Sequence, residues 1–342
     1  MRRFLFFIFS LCLFAPAVAQ TPVSAISEER ALFNAGRYDE VIQKLSALSA
    51  SSRDPGEVAY LLGLSWYQKR EYQHAVPYLQ TVIRPGNEAP GNSPVVREYF
   101  ECIQALGLSH YLLGHLIEAV PLLEQASARL PNNNELAYAL GMACVQTRQP
   151  DKARSAFARM FRVEADSAAA HLLTAQMMIR VEFEEFADIE LKKALEKDPR
   201  LPQANYLLGQ NAIYKSKYDE GIALMEKELA INPNNAMAYY KIGDACTRQL
   251  KWDEAITALQ KSVWLYPFYS GPYILLGKSY LKKRELQSAE GMLRRAIQFD
   301  PNNKSAHYLL AQVYQQQGRA EDAKREFAIA EKLQGNSEKI EQ

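Results

Sequence analysis

The sequence predicts an all-α chain, a row of antiparallel helix pairs stacked one on the next. Three observations carry that expectation. A five-residue block recurs as LGLSW at Leu62, LGLSH at Leu106, LGMAC at Leu140, LGQNA at Leu208, IGDAC at Ile242 and LGKSY at Leu276, at offsets of 34 residues or multiples of 34 apart from one break. A fixed period of this size is the mark of a repeat array, and it takes precedence over any site argument. Small residues return at one register, Gly63, Gly107, Gly141, Ala175, Gly209, Gly243, Gly277 and Ala311, and twelve residues later at another, Ala75, Ala119, Ala153, Ala187, Gly221, Ala255, Ala289 and Ala323. Glycine inside a helix costs about 1 kcal/mol against alanine, so its return implies a second helix packed too close for a larger side chain. Finally, Pro131, Pro199, Pro233, Pro267 and Pro301 recur where a helix must stop, because proline cannot continue the hydrogen-bond ladder.

Taken in order, the predicted units are residues 22–55, 56–89, 100–133, 134–167, 168–201, 202–235, 236–269, 270–303 and 304–337, with a tail at 338–342. The first keeps the turn Gly36-Arg37-Tyr38-Asp39-Glu40 but has Glu29 and Val41 at the small registers, as expected of a terminal unit with no outer neighbour to bury against. The fifth departs at Thr174 and Glu182, and the sixth carries Glu228 where a small residue is usual. The period breaks once, by ten residues, at 90–99, where Ser93 and Pro94 read as an N-cap and a first helical residue, so the third unit's first helix should start early.

These residues resemble the tetratricopeptide repeat family, whose 34-residue unit has a small residue at position 8, alanine at 20 and proline at 32. The resemblance implies a right-handed superhelical solenoid of about eighteen helices. In this family, positions 2, 5, 9 and 12 of each first helix line a concave groove that binds peptides or protein segments. Position 5 is then Tyr60, Gln104, Tyr138, Leu172, Tyr206, Tyr240, Ile274 and Tyr308, and position 12 includes Tyr67 and Tyr111. Position 9 changes character along the chain, from Leu64, Leu108 and Met142 through Gln176 and Gln210 to Asp244, Lys278 and Gln312. The expectation is an exposed apolar, tyrosine-rich grip in the second to fourth units, with Asp244, Arg248, Lys278 and Lys282 holding the polar end of a bound segment. Some members of the family clamp a partner's terminal carboxylate with lysine at position 5 and asparagine at position 9. Position 5 is never lysine here and position 9 never asparagine, so that clamp is absent.

Composition excludes other classes. With 48% hydrophobic and 23% charged residues among 342, the chain can bury a large core. Arg2 and Arg3, the apolar run from Phe4 to Phe14 and Ala17-Val18-Ala19 predict a secretory signal peptide over residues 1–19, with no integral span left after its removal. Removing it takes two of the 40 basic residues and none of the 39 acidic ones, leaving a net charge of −1 and no electrostatic case for nucleic acid. Cys102, Cys144 and Cys246 fall at core registers, and the five histidines have no metal-ligand spacing. GPYILLGKSY, at Gly271–Tyr280, ends like a phosphate-binding loop, but five residues separate its glycines instead of four and no strand precedes it. Catalytic residues and cofactors are therefore expected to be none. The leading reading is a non-catalytic, periplasmic or secreted scaffold for a protein or peptide partner. The second is an accessory or regulatory subunit of an envelope enzyme or polymer-export machine.

Overall fold

A computed structural model of the protein describes residues 26–48, 55–83 and 94–340. The predicted signal peptide and residues 90–93 of the predicted insertion lie outside these. Among the described residues there are eighteen α-helices and no strand. The pairs are α1 (Ser27–Asn34) with α2 (Tyr38–Leu48), α3 (Pro55–Gln68) with α4 (Tyr72–Val82), and α5 (Pro94–Leu112) with α6 (Leu116–Arg129). Then come α7 (Asn134–Gln146) with α8 (Pro150–Phe161), α9 (Ala168–Arg180) with α10 (Glu184–Lys197), and α11 (Ala204–Tyr214) with α12 (Tyr218–Ile231). The last are α13 (Ala236–Arg248) with α14 (Trp252–Leu265), α15 (Ser270–Lys282) with α16 (Leu286–Phe299), and α17 (Lys304–Gln316) with α18 (Ala320–Ile340). As expected, α5 starts early, at Pro94. By contrast, α18 continues through residues 338–340 of the predicted tail, because Gly335 stands where other repeats have the terminating proline.

The periodic small residues are contact points. A Cβ placed on Gly141 would lie 2.4 Å from the Phe157 ring, and one on Gly277 would lie 2.4 Å from Cγ of Leu293, so the two helices of a pair touch where the sequence says they must. Both partner side chains are fully buried. Between the helices of every pair, position 15 has a left-handed backbone: Gly36, Arg70, Gly114, Arg148, Glu182, Ser216, Leu250, Arg284 and Gly318 all have φ between 59° and 79°. Four first helices are capped by the side chain just before them, with Asn133, Ser167, Asn235 and Asn303 each accepting the backbone N–H three residues on.

The chain divides into two compact units, one ending at Leu130 and the other beginning at Pro131. Within each, successive pairs stack side by side, second helix against the next first helix, as a helical solenoid. Departures from the repeat pattern find local contacts, though the second carboxylate oxygen of Glu228 is buried without a hydrogen bond. Glu228 is buried, and one of its carboxylate oxygens accepts the backbone N–H of Gln203 at 2.9 Å, where Gln203 has φ 72°. His171 and His307 share position 4, and each faces the glutamate at position 23 of its own repeat, His171 Nδ1 to Glu190 at 2.7 Å and His307 Nδ1 to Glu326 at 2.6 Å. Cys102, Cys144 and Cys246 are buried thiols, in keeping with their core registers. Among the described residues no helix is long and apolar enough to cross a membrane, and no cluster of metal-ligating side chains is present.

Candidate functional site

The first helix of a repeat presents positions 2, 5, 9 and 12 along one side, and the two units use that side differently. In the unit ending at Leu130 it is closed. Leu64 is only 7% exposed and belongs to a core cluster with Leu61, Leu62, Ala105 and Leu106. Leu108 is 2% exposed, and in the other unit Met142 is 6% exposed. The apolar grip expected in the second to fourth repeats is therefore not an open surface. Burying a leucine is worth about 1.5–3 kcal/mol, and the fold takes these side chains inward. Tyr60 is likewise a structural tie. Its hydroxyl donates to the Glu101 carboxylate of the next repeat at 2.6 Å, and Arg30 of the previous repeat lies over its ring at 5.7 Å. Tyr67 packs against Tyr72 of its own hairpin, and Tyr111 is half-buried. Of the predicted apolar residues, only Tyr138 is exposed.

In the unit from Pro131 the same side is more open at positions 5 and 9 from α11 onward, while position 12 stays buried at Ile213, Thr247 and Leu281. Tyr206 and Tyr240 are half-buried on α11 and α13, and the Tyr269 ring meets Tyr240 edge-on with centroids 5.3 Å apart. Burial, and then Tyr269 beside it, push the Tyr240 phenol well above the usual tyrosine range; the same two causes raise Tyr206. These hydroxyls therefore stay neutral donors at physiological pH. One turn along α13, Arg248 donates through Nε to Asp244 at 3.1 and 3.2 Å, so these two predicted contact residues hold one another. Lys278, on α15, is half-buried, and Lys282 is exposed. Among the described residues neither lysine has a carboxylate within ion-pairing distance.

Tyr269 was missed at the sequence level, although two signals point to it. It stands at position 34, where Asn133, Ser167, Asn235 and Asn303 cap the next helix, and α15 accordingly has no side-chain cap. Gly271 follows two residues later, and a Cβ there would lie 2.8 Å from the Tyr269 ring, so the glycine leaves room for the ring to turn back. Beside it, Trp264 in the last turn of α14 (72%) and Phe268 in the loop (70%) are exposed. Lys261 stacks on Trp264 at 4.5 Å, and Phe268 meets Phe299 at 6.0 Å.

Two family models described as tetratricopeptide repeat match the chain, one at residues 111–177 and 280–339 and the other at 30–90, together more than half of it. The chain belongs to the tetratricopeptide repeat family. A third model, described as anaphase-promoting complex, cyclosome, subunit 3, matches residues 190–262. No curated protein matches the chain. Among solved structures, MamA from Desulfovibrio magneticus RS-1 is 22% identical and covers 50% of this chain and 97% of its own, with a TM-score of 0.47. YrrB, described as a TPR protein with an unusual peptide-binding site, is 22% identical over 54% of this chain and 94% of its own, with a TM-score of 0.47. The APC/C hetero-tetramer Cut9-Hcn1 is 17% identical over 84% of this chain and 55% of its own, with a TM-score of 0.44. At these identities the likeness concerns the repeat architecture alone.

Proposed function

We propose that this tetratricopeptide repeat protein is a non-catalytic scaffold that holds an extended protein segment along the first helices of its second unit, from Tyr206 to Lys282, outside the cytoplasm. The observation that carries the reading is the Tyr206, Tyr240 and Tyr269 cluster. Position 34 is aromatic there and forgoes the side-chain cap, worth about 1 kcal/mol, that Asn235 and Asn303 give the neighbouring first helices, while its ring joins Tyr240 on the groove side. Tyrosine suits a recognition surface because it supplies large contact area with few rotatable bonds and keeps a hydroxyl for backbone groups. Location outside the cytoplasm rests on the N-terminal pattern from Arg2 to Ala19. A second reading, an accessory or regulatory subunit of an envelope enzyme or polymer-export machine, draws on the match of residues 190–262 to a model named for an assembly subunit.

The test pans a random peptide display library on the 342-residue chain. Binders should weaken at least tenfold on Tyr240→Ala and on Asp244→Lys and keep their affinity on Tyr138→Ala. Binders that ignore both groove substitutions would refute the scaffold reading at this site. For location, protein recovered from an envelope fraction should begin at Gln20 by mass spectrometry, and an intact Met1 in the cytoplasmic fraction overturns that part.

A further inference from the structure

Further along the same side, α15 and α17 enclose two adjacent depressions of opposite character. The first, about 730 Å³, lies between the N-terminal halves of the two helices and α18. Its walls include Ile274, Tyr308, Leu309 and Phe327, with Lys278 and Lys304 at the rim and Glu331 across from them. Tyr308 is exposed and Phe327 half-buried, their rings 5.5 Å apart edge-to-face. Lys304 donates to the Gln334 amide oxygen at 2.8 Å. The second depression, about 640 Å³, lies one to two turns further on and is lined by Lys282, Arg284, Gln312, Gln315 and Gln316, beside Leu281 and Leu286, with no acidic residue in its wall. The neighbouring Lys283 is different, since it is bound to Asp253 at 2.6 Å and Glu285 at 3.0 Å. Among the described residues Lys278, Lys282 and Arg284 have no carboxylate partner. An apolar hollow therefore opens into a cationic one, and the cations are uncompensated.

We propose that this seam recognises a bipartite peptide segment, a bulky apolar side chain in the first depression and an acidic side chain in the second. The proposal rests on the groove reading above and names the chemistry of the segment held at its end. Charge complementarity fixes the second half, because two cations, Lys282 and Arg284, and three amides with no acid among them fit a carboxylate and repel a cation. The spacing follows from helix geometry. From Ile274 to Lys282 is eight residues, roughly 12 Å along α15 at 1.5 Å per residue. An extended chain advances about 3.3 Å per residue, so the apolar and acidic residues lie about four positions apart. Gln312, Gln315 and Gln316 can donate amide N–H to the carboxylate or to the backbone of the segment between.

Fluorescence anisotropy on the full chain tests this with fluorescein-labelled nine-residue serine-glycine peptides. Each carries one phenylalanine and one glutamate, either four positions apart in both orders or adjacent, and a further version has lysine in place of glutamate. The spaced phenylalanine and glutamate peptide, in one order, should bind at least tenfold tighter than the adjacent or lysine version. Lys282→Glu should reverse the preference for glutamate over lysine, Lys282→Gln should abolish it, and Tyr308→Glu should remove the contribution of phenylalanine. Each of these residues is exposed, and unchanged helicity by circular dichroism checks that the variants fold. Equal binding of all peptides, or no binding, overturns the proposal. Binding lost on Tyr240→Ala but kept on Tyr308→Glu and Lys282→Glu also overturns it, while leaving the groove reading intact.

Discussion

Leu64 and Lys278 occupy the same position of their repeats, the ninth, and the two units put them to opposite uses. In the unit ending at Leu130, Leu64 is core, and Tyr60 beside it ties one repeat to the next through Glu101. In the unit from Pro131, Lys278 stands at the rim of an open hollow, and Tyr240 at position 5 meets a tyrosine from the loop in place of a carboxylate on the neighbouring helix. The register of a repeat thus says which side a residue is on, and only the size and polarity of its neighbours say whether that side is filled. A first helix with an apolar residue at position 9, as in α3, α5 and α7, is drawn into its neighbours there. One with a polar or charged residue at that position, as in α11, α13 and α15, stays partly open.

The sharpest way to break this comparison is the same truncation in both units. Leu64→Ala should lower stability by about 2–5 kcal/mol, the range for a buried leucine whose cavity does not collapse. Lys278→Ala should change it by no more than about 0.5 kcal/mol, as for a surface substitution. Urea unfolding followed by circular dichroism measures both. Equal losses would mean that Lys278 carries packing and that the open side of the second unit is illusory.

A smaller effect, of opposite sign, is expected at Tyr269. Tyr269→Asn restores the residue that caps α7, α13 and α17, where Asn133, Asn235 and Asn303 accept a backbone N–H at 3.1 Å. It should stabilise the unit by about 1 kcal/mol while weakening any peptide that depends on Tyr240. A variant that is both more stable and less able to bind would separate folding from function at a single residue. A loss of stability would show that the Tyr269 ring is needed by the fold, and the strongest sign of a built site would be gone.

Much of this was legible before any coordinates, and the reason is physical. Helix pairing depends on close approach at one point per repeat, so Gly141 against Phe157 and Gly277 against Leu293 are written as a strict period. The family, the number of helices and the early start of α5 follow from that period. The site was legible only in part. The register put Tyr206, Tyr240, Asp244 and Lys278 at positions 5 and 9, where the structure leaves them half-buried, but it took Leu64, Leu108 and Met142 as exposed, when the apolarity that drew attention to them is what buries them. Asp244 and Arg248 were read as two contacts, and i, i+4 spacing on one helix makes them a pair. The His171–Glu190 and His307–Glu326 contacts, each nineteen residues apart, belong to no local pattern and emerge only when the two helices of a hairpin are laid together.

The turns inside the hairpins offer the finest comparison. In the unit ending at Leu130, two of the three left-handed positions are glycine, Gly36 and Gly114, with Arg70 the third. In the unit from Pro131 only Gly318 is glycine, and Arg148, Glu182, Ser216, Leu250 and Arg284 adopt the same backbone with a Cβ, at φ values from 59° to 62°. A non-glycine residue in this region costs about 1 kcal/mol, so the second unit holds more backbone strain per turn. Leu250 is the clearest case, since its side chain is exposed and contributes little packing to offset the strain. Leu250→Gly should therefore raise stability, though by less than 1 kcal/mol, because glycine also gains freedom in the unfolded chain. The reverse change, Gly114→Ala, should lower it by a similar amount. The pair is read as opposite shifts in urea midpoint at constant m-value; a destabilised Leu250→Gly would mean that the turn's geometry, and not its glycine, is what the second unit has conserved in energy.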